Sequence, residues 1–113
     1  MKSIFISTFG IAALLWIRIA QGTEIPAADD ARTAEAARAL ALIEYCQDGA
    51  TRDDLFADFM RAERQRGMDE GQAASIASLL GALQARNQGK LTQNDCTTEN
   101  ITAAQKVMDE LVR

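Results

Sequence analysis

The sequence predicts an all-α fold, a small bundle of about four helices stapled by one disulfide and preceded by a cleavable signal peptide. Three observations carry this expectation. Apolar residues recur at three- and four-residue spacing in four separate segments, each with a capping residue in front of it. No segment alternates apolar and polar positions as a half-buried strand does. Two cysteines, Cys46 and Cys96, lie downstream of an apolar N-terminal run.

That run comes first. Lys2 precedes an uncharged apolar stretch from Ile4 to Ile17, the charged-then-apolar layout of a secretory signal. The stretch is shorter than the ~20 residues of a comfortable transmembrane helix, and Arg18 closes it. Small residues at Ala20 and Gly22 place cleavage after Gly22, giving a signal over 1–22 and a helical domain over 23–113. The competing reading is an uncleaved anchor with Arg18 snorkelling to the interface.

Thr23 to Ala28 contains the sole proline, Pro26, and reads as an extended leader. Asp29 and Asp30 then offer cap oxygens for a first helix over 30–47, rich in Ala, Leu, Glu and Arg. Its buried stripe is expected at Ala39, Leu42, Ile43 and Cys46, with Gly49 as the left-handed terminator. Thr51 to Asp54 resembles a capping box that opens a second helix over 52–66. Leu55, Phe56, Phe59 and Met60 form its apolar face, and Arg61, Arg64 and Arg66 crowd its last turns before Gly67. Those arginines suit a helix C-terminus and would equally serve an anion- or partner-docking patch.

Asp69 caps a third helix over 70–86, with Met68 placed as a staple onto Ala73. Ala73, Ile76, Leu80 and Leu83 are its stripe. Beside it Ala73, Ala77, Gly81 and Ala85 repeat small side chains, which suits close internal packing or a homodimer face. Asn87 to Asp95 reads as a loop with Leu91 tucked back into the core. Thr97 and Thr98 are cap candidates for a fourth helix over 98–112, patterned by Ile101, Ala104, Met108 and Leu111. Asn100-Ile101-Thr102 matches the glycosylation triplet, which matters only in a eukaryotic secretory route.

Composition narrows the chemistry. The 113 residues suffice for one domain, and 48% hydrophobic content suits a folded one. Downstream of residue 22 the aromatic residues are Tyr45, Phe56 and Phe59, so the core rests on Leu, Ile, Met and Ala. Loss of Lys2 and Arg18 with the signal leaves 10 basic against 16 acidic residues, moving the net charge from −4 to −6. Such a surface repels nucleic acid and anionic lipid, so neither is an expected partner. Two cysteines in an exported chain read as a disulfide. With no histidine they cannot complete a zinc site, and their separation does not suit a Cys-x-x-Cys redox pair.

The absence of histidine also removes the commonest general base. Ser75 and Ser78 have no base to activate them. Asp53, Asp54, Asp58, Asp69 and Glu70 read as solvated helix faces rather than a calcium loop or a carboxylate pair. The chain is therefore expected to be no enzyme and to need no cofactor or metal. The expected function is that of an exported, most simply periplasmic, helical protein that binds another protein as an accessory subunit of an envelope complex. Phe56, Phe59, Arg61, Arg64, Ala77 and Gly81 are the candidate partner-binding residues, with a homodimer as a further expectation. The Arg-over-Lys and Ala-rich usage points to a GC-rich bacterial source, and extracellular secretion is the other address considered.

Two further functions fit the same features. Mature size, helical character and two cysteines about fifty positions apart resemble the layout of the HdeA/HdeB acid-stress chaperones. That resemblance implies a periplasmic dimer that loosens in acid and offers apolar stripes to unfolding clients. Glu44-Tyr45-Cys46 stands where those proteins tend to carry an aromatic-Thr-Cys motif, and the long preceding helix also departs from them. The third reading is a small acidic inhibitor or immunity protein.

Overall fold

A computed structural model describes residues 27–113. The signal peptide, its cleavage point and the leader through Pro26 lie outside them. The described residues form four helices: α1 (Ala27–Cys46), α2 (Gly49–Gln65), α3 (Glu70–Gln88) and α4 (Thr98–Leu111), with a short 3-10 turn at Gln93–Asp95. No strand occurs among them.

The helix junctions follow from their caps. α1 begins at Ala27 rather than at residue 30, so Asp29 and Asp30 belong to its first turn instead of preceding it. Two alanines extend a helix at little cost, which is why the start moves forward. Gly49 was expected to terminate α1 in a left-handed conformation. It is instead the first residue of α2, and Gly67 alone among the described residues has positive φ. The cap of α2 is Asp48, extended at φ −164°, whose carboxylate accepts the Thr51 backbone N–H. Thr51 thus serves as the capped residue and not as the cap. The Thr51 hydroxyl adds a second bond to Asp48 Oδ2 at 3.1 Å, and these bonds hold the Asp48 carboxyl below its ordinary value.

α2 ends at Gly67, where φ of 97° reverses the chain. Asp69 then caps α3 reciprocally: it accepts the Gln72 N–H at 2.8 Å, and Gln72 Oε1 accepts the Asp69 N–H at 3.2 Å. α3 runs two residues past Arg86, and the expected loop over 87–95 tightens into the 3-10 turn. Thr92 anchors that turn by donating its N–H to Asp95 Oδ2 at 2.8 Å. Leu91 is only half-buried. Thr97 caps α4 through its hydroxyl, which accepts the Asn100 N–H at 3.1 Å.

Helix directions can be read from the contacts between their ends. Arg32 near the start of α1 reaches Glu63 near the end of α2 and the Leu111 carbonyl at the end of α4. Cys46 at the end of α1 is bonded to Cys96 just before α4, with Cα atoms 5.3 Å apart. α1 is therefore antiparallel to both α2 and α4. Arg52 at the start of α2 donates to Gln84 near the end of α3 at 2.9 Å, so α2 and α3 are antiparallel too.

α1 is the central element and packs against the other three helices. Ala36, Ala37, Ala39, Leu40, Ala41 and Ile43 are all buried, a set that covers roughly 200° of its circumference. The expected single stripe was too narrow: Leu42 and Cys46 are half-buried, while Leu40 and the alanines carry the core. Small side chains let the neighbours approach from several sides. Phe59 and Met60 of α2, Ile76 and Leu80 of α3, and Met108 and Leu111 of α4 close around it.

Two polar systems fasten this core. Glu63 is fully buried and accepts Arg32 Nη2 at 2.6 Å and Arg32 Nε at 3.1 Å. Arg66 Nη1 adds contacts of 3.2 and 3.3 Å. Arg32 Nη2 also donates to the Leu111 carbonyl at 2.7 Å, so one guanidinium joins α1, α2 and α4. At the other end, the buried Gln84 accepts Arg52 and donates to Gln88 at 3.5 Å, which donates to Glu44 at 2.7 Å.

Candidate functional site

α2 and α3 touch each other far less than either touches α1, and between them the surface opens into a groove of about 510 Å³. Both helices pack on α1 while the turn at Gly67 spaces them apart. The alanine-rich wall of α3 is too short to fill the space. Phe56, Ala57 and Met60 line the groove from α2, and Ala73, Ala74 and Ala77 from α3. Arg61, Arg64 and Glu70 stand at its edge.

The geometry of the edge is electrostatic but loosely held. Arg61 Nη1 donates to Asp58 at 2.9 Å within α2, and both side chains are largely exposed. Arg64 Nε faces Glu70 Oε1 at 3.4 Å across the junction from α2 to α3. Exposed pairs of this kind hold their members by about 1 kcal/mol or less, so either arginine can exchange its partner. Phe56 is fixed more firmly: the Arg52 guanidinium lies 4.7 Å from its ring centroid, while Arg52 itself is tied to Gln84 and Asp53.

The groove brings together Phe56, Arg61, Arg64 and Ala77 from the residues selected by sequence. It does not include the other two. Phe59 is fully buried against α1, with the Arg32 guanidinium 5.9 Å from its ring centroid, and is a core residue rather than an interface anchor. Three residues after Phe56, it lies about 60° further around α2, enough to bring it under the helix against α1 while Phe56 stays half-buried. Gly81 is exposed one turn beyond Ala77 and lines no part of the groove. Met60, Ala57, Ala73, Ala74 and Glu70 were not among those candidates; Met60 and Ala73 were read as core-facing positions and Glu70 as a solvated acid. Their signal existed in the Ala73-Ala74 and Ala77 run, but it becomes a surface only when α2 is set beside α3.

A second depression of about 520 Å³ lies between α2 and α4, walled by Thr51, Leu55, Thr102, Gln105, Lys106 and Asp109. Leu55 is its one large apolar side chain, and no arginine stands at its edge. Among the described residues no cluster of His, Cys, Asp and Glu is arranged to hold a metal ion, and no cysteine is free. No helix among them is long and apolar enough to cross a membrane. The disulfide itself belongs to chemistry favoured in oxidising, exported compartments.

Comparison with protein families, curated proteins and solved structures finds no match for this chain.

Proposed function

We propose that this chain is an exported, non-enzymatic helical module that binds another protein through the groove between α2 and α3, serving as an accessory subunit of an envelope complex. The observation that carries the reading is the groove itself. It places Phe56 and Met60 beside a wall of alanines, with two exposed arginines at the edge. The half-buried Phe56 is suited to anchor a partner's apolar side chains over the nearly buried Met60, and arginine is among the residues enriched in interface hot spots. The stapled core supports this use, because a groove held by a rigid frame loses little entropy on binding. Periplasmic location is part of the proposal and rests on the N-terminal run of the sequence together with the disulfide.

Affinity purification from the envelope fraction of cells making the protein tests the reading. The comparison is between the native chain and an Ala57→Gln/Ala74→Gln variant. Both positions are exposed and line the groove, so the longer side chains fill it without touching the core. Surface changes of this kind alter stability by about 0.5 kcal/mol or less. One defined protein should co-purify with the native chain and be lost with the variant. Equal recovery with both, or no enrichment with either, counts against the proposal.

A further inference from the structure

We propose that the occupant of the α2–α3 groove is an amphipathic helix whose apolar ridge is bordered by carboxylates on the side facing α2. This rests on the protein-binding reading above and adds the chemistry of the partner. The two lips of the groove differ in charge. The α2 lip carries Arg61 and Arg64, whereas α3 has no charged residue from Gly71 to Ala85. In an exported domain of net charge −6, a lip whose two arginines are held only by the exposed pairs to Asp58 and Glu70, beside a wall whose one charge is Glu70 at its start, favours an acidic border on the α2 side of the ligand.

The structure also contains a stand-in for such a carboxylate. Glu70 sits where α3 begins, lines the groove and meets Arg64 at 3.4 Å, with 84% of its side chain exposed. It occupies the arginine without being held in place. An incoming carboxylate would take over Arg64 and release Glu70 to water, while Arg61 exchanges Asp58 in the same way. Between the lips, the half-buried Phe56 meets the apolar ridge above the nearly buried Met60, and the exposed Ala57 and Ala74 leave room for side chains spaced three and four apart.

Two synthetic helical peptides test this by fluorescence anisotropy with the purified protein at about 50 mM salt. Both carry the same leucine ridge; one is bordered by glutamates, the other by lysines. The glutamate peptide should bind several-fold more tightly, since two exposed ion pairs at up to about fivefold each form at the cost of the pairs to Asp58 and Glu70, and the lysine peptide meets like charge. Its preference should shrink at about 0.5 M salt, where charges are screened within a few ångströms. Glu70→Gln, which removes the internal competitor, should tighten the glutamate peptide by about twofold to threefold. Arg61→Gln/Arg64→Gln should erase the preference while leaving the thermal midpoint in place.

Equal binding of the two peptides, or preference for the lysine form, overturns the proposal. So does the absence of binding by either while the groove-filling variant still loses the co-purifying protein; in that case the protein-binding reading stands and the acidic-helix chemistry fails. If instead the native chain is a dimer by light scattering and the groove-filling variant a monomer, a second copy is the occupant and the acidic-helix proposal is wrong.

Discussion

Glu63 is the residue on which the interior depends most. Its carboxylate is fully buried, and it is balanced by Arg32 from α1 and Arg66 from its own helix. Removing the charge leaves Arg32, three-quarters buried, with a neutral amide oxygen, the Leu111 carbonyl and the Phe59 ring but no counter-charge from α2. Breaking a fully buried pair costs 3–5 kcal/mol, and partial exposure of the arginines reduces this, so Glu63→Gln should cost about 2 kcal/mol. Urea denaturation should show it as a lower midpoint with an unchanged slope. A midpoint equal to the native value would mean that the arginines hold the helix ends without their carboxylate.

Asp48 supplies the residue-scale pH dependence. Its folded carboxyl is lowered from an ordinary value of 3.8, first by the Thr51 backbone N–H and then by the Thr51 hydroxyl. A depressed folded value means that the cap stabilises fully above the unfolded value and is lost as pH falls through the folded one. The thermal midpoint of the native chain should therefore fall more steeply below about pH 4 than that of Asp48→Ser, whose cap does not titrate. Parallel profiles would remove Asp48 from the acid response.

At the scale of the element, two glycines separate conformational need from free choice. Gly67 adopts φ of 97°, so Gly67→Ala should destabilise by about 1 kcal/mol. Gly81 lies in the helical interior of α3 with nothing within 4 Å of an added Cβ, so Gly81→Ala should stabilise by about 0.5–1 kcal/mol. Thermal melts of the two variants should shift in opposite directions. Much at this scale was legible in the sequence, because Gly67, Asp69 and Thr97 act through neighbours within three residues. The start of α2 was less legible, since Asp48 and Thr51 are both good caps and only the backbone decides between them. The burial of α1 was hidden for another reason: alanines at 36, 37, 39 and 41 carry no periodic signal, and the number of helices packed around them is a tertiary fact.

Over the whole molecule, the disulfide fastens one end of the bundle and the groove opens between two of its helices. Cys46–Cys96 closes a separation of 50 residues and fastens α4 at the end opposite to the Arg32–Leu111 contact. On a chain-entropy argument, Cys46→Ala/Cys96→Ala should cost ~4 kcal/mol and lower the thermal midpoint by roughly 20 °C. A fall of only a few degrees would show that packing on α1 alone sets the stability. The pairing could be read from two cysteines and an apolar leader. The groove could not, because Phe56 belongs to one helix and Ala74 to the next, and their proximity depends on how both rest on α1. The arginines were noticed for a sound local reason, a basic helix end, before their place beside the groove gave them a second one.

A partner seated in this groove is the proposal on which the rest depends. Site-specific photo-crosslinking in living cells tests it most directly, with the reactive side chain placed at Ala74 in the groove or at Ala103 on the exposed side of α4. One discrete crosslinked product should form from position 74 and none from position 103. No product at 74, or the same product from both positions, would contradict it.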